Sequence, residues 1–195
     1  MNSLNDDNAV INTAEATRAL LRSADQGLWE NAAEAVKRGA DVRALGVDGR
    51  TALMMMASDS SCPSLAFLIQ GSDVNAQDED GWTAMMWATH FGPDEKFIAE
   101  LLAAGASAKI VDQDGCSPLM AAAQTGSTRA VKLLAPHSDV EARNHKGCTA
   151  ATLANDQGFK FAFEYLREFS LAQKEAAALD SCALRPVEGK KRLSL

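Results

Sequence analysis

Side chains able to do chemistry are spread along this 195-residue chain rather than gathered at one place. Cys62, Cys116, Cys148 and Cys182 form no C-x-x-C pair, so the spacing of a zinc site is absent. No activated nucleophile stands out, no glycine-rich phosphate loop opens a helix, and no carboxylate pair suggests general acid–base work. No catalytic, cofactor-binding or metal-binding residue is therefore expected, and the chain is not expected to be an enzyme. What remains is the chemistry of contact. Trp82, His90 and Phe91 are bulky aromatic groups close in sequence, and exposed aromatics anchor binding hot spots. Asp48, Glu79, Asp80 and Asp114, together with Asp78 and Asp112, supply carboxylates that could steer a basic partner. The other reading of these acids, turn chemistry and solvation, stands beside it.

Net charge narrows the partner. The formal charge is −7, and the last residues, with Arg185, Lys190, Lys191 and Arg192 against Glu188, carry +3, which leaves −10 on the rest. An acidic body without a basic stripe repels phosphate backbones, so nucleic acid is not expected as a partner and a basic protein is. No run of about 18 apolar residues is present, and no membrane partner is expected. The N-terminus is polar and lacks the pattern of a signal peptide, so a cytoplasmic location is expected. Delivery into another cell by a specialised machine would leave no readable mark.

The elements that must position these residues come from a repeat. Four segments align: Asp48-Gly49-Arg50-Thr51-Ala52-Leu53, Asp80-Gly81-Trp82-Thr83-Ala84-Met85, Asp114-Gly115-Cys116-Ser117-Pro118-Leu119 and Lys146-Gly147-Cys148-Thr149-Ala150-Ala151. Their hydroxyl residues, at 51, 83, 117 and 149, are 32, 34 and 32 positions apart. A second family lies between them: Gly39-Ala40-Asp41-Val42, Gly71-Ser72-Asp73-Val74, Gly105-Ala106-Ser107-Ala108 and His137-Ser138-Asp139-Val140. Each feature has a local cause. Gly after Asp or Lys accepts the positive φ of a tight turn. The Thr or Ser that follows caps a first helix through its hydroxyl. Pro118 suits the first helical position. Gly39, Gly71 and Gly105 end a second helix in the left-handed region. His137 stands where those glycines do, and the spacing predicts a left-handed backbone at or beside it. Each unit thus reads turn, helix, helix, extended return, and must stack on its neighbours to bury its apolar face.

These motifs resemble the ankyrin repeat, whose signature is similar to Gly-x-Thr-Pro-Leu-His followed by Gly-Ala-Asp-Val-Asn, over roughly residues 12 to 170. Met54, Met86, Met120 and Thr152 occupy the family's His column, and Ala52, Ala84 and Ala150 replace its Pro. The resemblance implies an all-α solenoid of stacked helix-turn-helix units with short hairpin loops. Units are expected at about 12–45, 46–77, 78–111, 112–143 and 144–180, after a disordered segment 1–11 and before a basic tail 181–195. Asn12 with Glu15 looks like a capping box opening the first unit.

The same resemblance implies that the side chain after the turn glycine, Trp82, projects from the hairpin tip toward a partner. It places His90 and Phe91 on the concave surface, with Ser58-Asp59, Gln124-Thr125 and Asp156-Gln157 as counterparts. The expected partner-binding set is Trp82, His90, Phe91, Glu79, Asp80, Asp48, Asp114 and Gln124. Trp82 covering a neighbouring tip is the alternative. Trp87, in a column with Met55, Ala121 and Leu153, is expected in the core, as is Met54-Met55-Met56. Trp29 is expected to be partly buried. Cys116 and Cys148 share a column, but stacked helices lie about 8–10 Å apart and bridged Cα atoms about 4.4–6.8 Å, so free thiols are expected. The function implied is a monomeric module that binds another protein. Narrower forms are an inhibitor or immunity-type protein that blocks a basic toxin or enzyme, and an effector acting inside another cell. A structural spacer would want more than five units.

Overall fold

The computed structural model describes residues 3–59, 61–91 and 95–183, with side chains from residue 12 to residue 179 within those limits. Ten α-helices pair along the chain among these residues: α1 (Ser3–Asp25) with α2 (Trp29–Lys37), α3 (Ala52–Ala57) with α4 (Ala66–Ile69), α5 (Ala84–His90) with α6 (Glu95–Ala103), α7 (Pro118–Thr125) with α8 (Thr128–Leu134), and α9 (Ala150–Asp156) with α10 (Lys160–Ala183). The first helices stack in the order α1, α3, α5, α7, α9, and α6, α8 and α10 stack behind them. The described residues contain no sheet, only an isolated antiparallel bridge between Leu45 and Thr51. This is the all-α solenoid that the repeat implies.

Local chemistry explains the helix starts. Thr51, Thr83, Ser117 and Thr149 are N-caps in extended conformation, and each hydroxyl accepts the backbone N–H three residues on. Pro118 occupies the first turn of α7. The replaced His column still reciprocates at two caps. Thr152 Oγ1 accepts the Thr149 N–H at 2.8 Å, and Met54 Sδ faces the Thr51 N–H at 3.5 Å. The turn and return glycines adopt positive φ, among them Gly81 at 81° and Gly71 at 91°.

The inner first helices α3, α5 and α7 are short and buried nearly all round, because each lies between two neighbouring units and its own second helix. Every residue of α3 is buried, the methionine run included, and Leu53, Met85 and Leu119 are at most 1% exposed. At about 25 cal/mol per Å² of apolar surface, such burial outweighs the weak propensity of six-residue helices. Polar cross-links join the units. Asn75 Oδ1 accepts the Ser107 N–H at 2.7 Å, and Glu100 Oε2 accepts the Leu65 N–H at the start of α4 at 2.7 Å. Trp29 opens α2 and is partly buried.

Three expectations change. Helix α1 is continuous from Ser3, so Asn12 lies inside it, the Asn12–Glu15 box caps nothing, and 3–11 extends the first unit instead of preceding it. No Gly or Pro interrupts residues 3–25, and the helix stops only near Gly27, at φ 68°. At His137 the chain forms a 3-10 turn, Ala135–His137, and Ser138 is extended at φ −118°. Pro136 ends α8 within that turn, so no residue there needs the left-handed region. Finally, α10 continues through Ala183, so helix occupies the first part of the expected tail; Arg185 and Lys190-Lys191-Arg192 lie outside the described residues.

Candidate functional site

In units three, four and five each hairpin is folded by one side chain, whereas in unit two Gly46 stands at that position and backbone bonds alone close the turn. In unit three Asp78 Oδ1 accepts the Asp80 N–H at 3.1 Å and the Trp82 N–H at 2.8 Å. Asp112 and Asn144 repeat the arrangement, taking the Asp114 and Cys116 N–H groups and the Lys146 and Cys148 N–H groups. The hairpins are then laced together. The Glu79 N–H donates to Asp48 O at 3.1 Å, Gln113 N–H to Asp80 O at 3.2 Å, and His145 N–H to Asp114 O at 2.9 Å. Backbone bonds thus hold the tips at fixed spacing, and the side chains on them are displayed from a rigid edge.

Trp82 is displayed by the third tip, and α5 brings a cluster to meet it. Its ring centroid lies 5.1 Å from that of Trp87, 5.3 Å from His90 and 6.1 Å from Phe91. His90 packs edge-on to Phe91 at 4.6 Å, and Trp87 stacks on Phe91 at 5.1 Å. Such ring pairs contribute about 0.5–1.5 kcal/mol each beyond their burial. Phe91 is the exposed member, 52% accessible. His90 is half-buried and its Nδ1 is shut off without a hydrogen-bond partner, so the ring serves the cluster as an aromatic surface.

Two residues take roles that the sequence reading did not give them. Trp87, expected in the core, is only half-buried. Its indole N–H donates to Asp78 Oδ2 at 2.8 Å, and the Arg50 guanidinium carbon lies 5.0 Å from the ring centroid. Asp78, counted among the acids of the ridge, is 9% exposed, with both oxygens accepting hydrogen bonds. The column Met55, Trp87, Ala121 and Leu153 runs along the groove between tips and first helices. That position was legible as a column of unequal size, whereas the packing of Arg50 on Trp87 left no mark in sequence.

Beside the cluster a cleft of about 190 Å³ opens across units three, four and five. Trp82 and Met86 form one wall, Asp112, Asp114 and Gln124 the middle, and Lys146 and Leu153 the far side. Cys116 lies within it. Burial pushes its thiol up, the hydrogen bond from Asn144 Nδ2 to its sulfur (3.5 Å) opposes this, and the charges of Asp112 and Asp114 add to the rise. The expected set is therefore arranged as follows. Trp82, His90 and Phe91 form one cluster, and Asp114 and Gln124 share the cleft with Trp82. Glu79 and Asp80 are exposed on the tip that carries Trp82. Asp48 is exposed on the preceding tip, 3.8 Å from Arg50. Among the described residues no group of His, Cys, Asp and Glu could hold a metal ion, and no helix is long and apolar enough to cross a membrane.

Comparison with known proteins agrees with this architecture. The family model described as ankyrin repeats (3 copies) matches residues 9–107 and again 92–175. The chain is 33% identical over 102 residues to calmodulin-binding transcription activator 6 of Arabidopsis thaliana, covering 52% of this chain and 9% of that protein. It is 39% identical over 67 residues to ankyrin repeat domain-containing protein SAT10 of Stachybotrys chartarum (strain CBS 109288 / IBT 7711), covering 34% of this chain and 3% of that protein. Calmodulin-binding transcription activator 4 of Arabidopsis thaliana is 31% identical over 124 residues, 64% of this chain and 9% of that protein. The chain thus spans less than a tenth of the length of these relatives.

Proposed function

The chain belongs to the ankyrin-repeat family, in general a family of protein–protein interaction modules, and we propose that it binds a protein through the groove between its hairpin tips and first helices, with no reaction of its own. One observation carries the reading. Trp82, His90 and Phe91 converge at the edge of an open cleft, and exposed carboxylates at Glu79, Asp80, Asp48 and Asp114 rim them. An apolar centre inside a charged rim is the common anatomy of a protein interface. Phe91 is the strongest sign, since the cluster leaves about half of the residue exposed to water, where burial by a partner is favourable.

The excess of acid favours a basic partner. A second reading, an inhibitor or immunity-type protein that blocks a basic toxin or enzyme, rests on the same charge and uses the same face. An effector acting inside another cell would use it too. The test begins with affinity purification from native cells, using the wild-type chain and a Trp82→Ala/Phe91→Ala double variant as baits. The partner captured by the wild type should be lost from the double variant while helix content by circular dichroism is kept. Equal capture by both baits overturns the assignment of this face.

A further inference from the structure

The hairpin tip of unit two leans over the first helix of unit three, and the equivalent place between units three and four is built differently. The tip residue of unit two is Arg50, and it covers Trp87 of α5 with its guanidinium carbon 5.0 Å from the ring centroid. Asp78 Oδ2 takes the indole N–H at 2.8 Å, and Asp48 lies 3.8 Å from the guanidinium. One unit further on, the same two columns hold Trp82 and Ala121. Asp112 folds the turn as Asp78 does, through Oδ1. Ala121, however, ends at Cβ and brings no N–H to Asp112 Oδ2. The place filled by an indole in unit three is thus open in unit four, and Trp82, Asp112 and Ala121 all line the cleft of about 190 Å³ found there.

We propose that this cleft receives one arginine side chain of the protein partner, with its guanidinium stacked on Trp82 and hydrogen-bonded to Asp112 and Asp114. The inference rests on the reading of the groove as a protein-binding face, and it names the group that the groove selects. Two carboxylates against the single amine of Lys146 leave the cleft net negative. Its apolar lining, Met86, Ala121 and Leu153, suits the methylene stem of a long cation. A planar guanidinium stacks its face on an indole while the N–H groups of its edge bond carboxylate oxygens; an ammonium has no such face to stack. The chain itself displays the combination one unit earlier, where Arg50, Trp87 and Asp48 bring together guanidinium, indole and carboxylate.

The full chain, labelled with nitrogen-15, is titrated with four peptides: acetyl-Gly-Arg-Gly-amide and its lysine, citrulline and tryptophan counterparts. The arginine peptide should shift the Trp82 indole and the Gln124 side-chain amide saturably. The citrulline peptide, of similar shape but uncharged, should bind about tenfold more weakly or worse, and the lysine peptide should fall between them. Ala121→Trp, which fills the slot, should abolish the arginine response. Should that buried change unfold the chain, the exposed Asp114→Asn must lower arginine binding instead. Glu79→Gln with Asp80→Asn should weaken the arginine and lysine peptides alike and leave their order unchanged. A citrulline peptide as good as arginine, a tryptophan peptide that is better, or an arginine response that survives in folded Ala121→Trp overturns the proposal. Loss of arginine selectivity while partner capture still needs Trp82 and Phe91 refutes only this assignment. Capture independent of both residues refutes the groove reading beneath it.

Discussion

Replacing Asp78 tests whether a hairpin acid serves the fold or the partner. Asp78→Ala removes three hydrogen bonds, two from turn N–H groups and one from the Trp87 indole. At about 0.5–1.5 kcal/mol net for each bond, and somewhat more for an ionised acceptor, the expected loss is roughly 2–4 kcal/mol. Asp112→Ala is the internal control. It removes the same two turn bonds, but Ala121 supplies no third. Its loss should be smaller by about 1 kcal/mol, the share of the indole. A double-mutant cycle isolates that share, because Trp87→Phe deletes the N–H and keeps a ring beneath Arg50. Coupling of about 1 kcal/mol is expected between Asp78→Ala and Trp87→Phe, and almost none between Asp112→Ala and Trp87→Phe. Urea unfolding followed by circular dichroism and by tryptophan fluorescence gives the numbers. The two probes must coincide before a single free energy is quoted, since stacked repeats can unfold in parts. Equal losses for the two Asp→Ala variants, or a cycle with no coupling, would refute the role given to Asp78.

The remaining predictions concern binding, packing and pH. Once the partner is in hand, Trp82→Ala should cost about 2 kcal/mol or more of binding free energy, measured by calorimetry. Glu79→Gln with Asp80→Asn should mainly slow association, and the effect should shrink between low and high salt in stopped-flow measurements; salt-independent slowing would argue against steering. Thr83→Ala should cost about 1 kcal/mol through its lost cap, and Leu119→Ala roughly 2–5 kcal/mol through a core cavity; similar, negligible losses in urea would contradict the placement of both. Glu141 is held below the usual carboxylate range, first by the hydrogen bond from Ser170 and then by that from Lys174. A depressed folded-state value stabilises the chain above the unfolded value and loses that contribution as pH falls through the folded one. Glu141→Gln should therefore lower stability slightly at neutral pH and flatten its decline below about pH 4.5, the ordinary value. An unchanged acid limb in pH-dependent urea melts would remove Glu141 from that account.

What the sequence determined by itself was everything governed by contacts a few residues long. The caps at Thr51, Thr83, Ser117 and Thr149, the turn glycines and the steps of 32 and 34 residues are local chemistry repeated, and stacking follows because one unit cannot bury its own apolar face. The convergence of Trp82, His90 and Phe91 was legible for the same reason, since the short helix that ends at His90, with Phe91 as its cap, starts next to the tip that carries Trp82. Local signals misled at two boundaries, where a competing signal in the surrounding sequence won. Asn12 looked like a cap but lies within α1, because nothing before it breaks the helix. His137 looked like a left-handed stop, but Pro136 ends the helix in a 3-10 turn. Only the tertiary structure decided which side chains of different units meet. Whether Asp78 faces solvent or Trp87, and whether Arg50 is a free tip charge or the cover of an indole, depends on the offset between stacked units. That offset is set by the packing of whole helices and by the backbone bonds between hairpins. A column of Met55, Trp87, Ala121 and Leu153 shows that side-chain size varies along the stack; the packed units turn the step from Trp87 to Ala121 into a filled place in unit three and an open cleft in unit four.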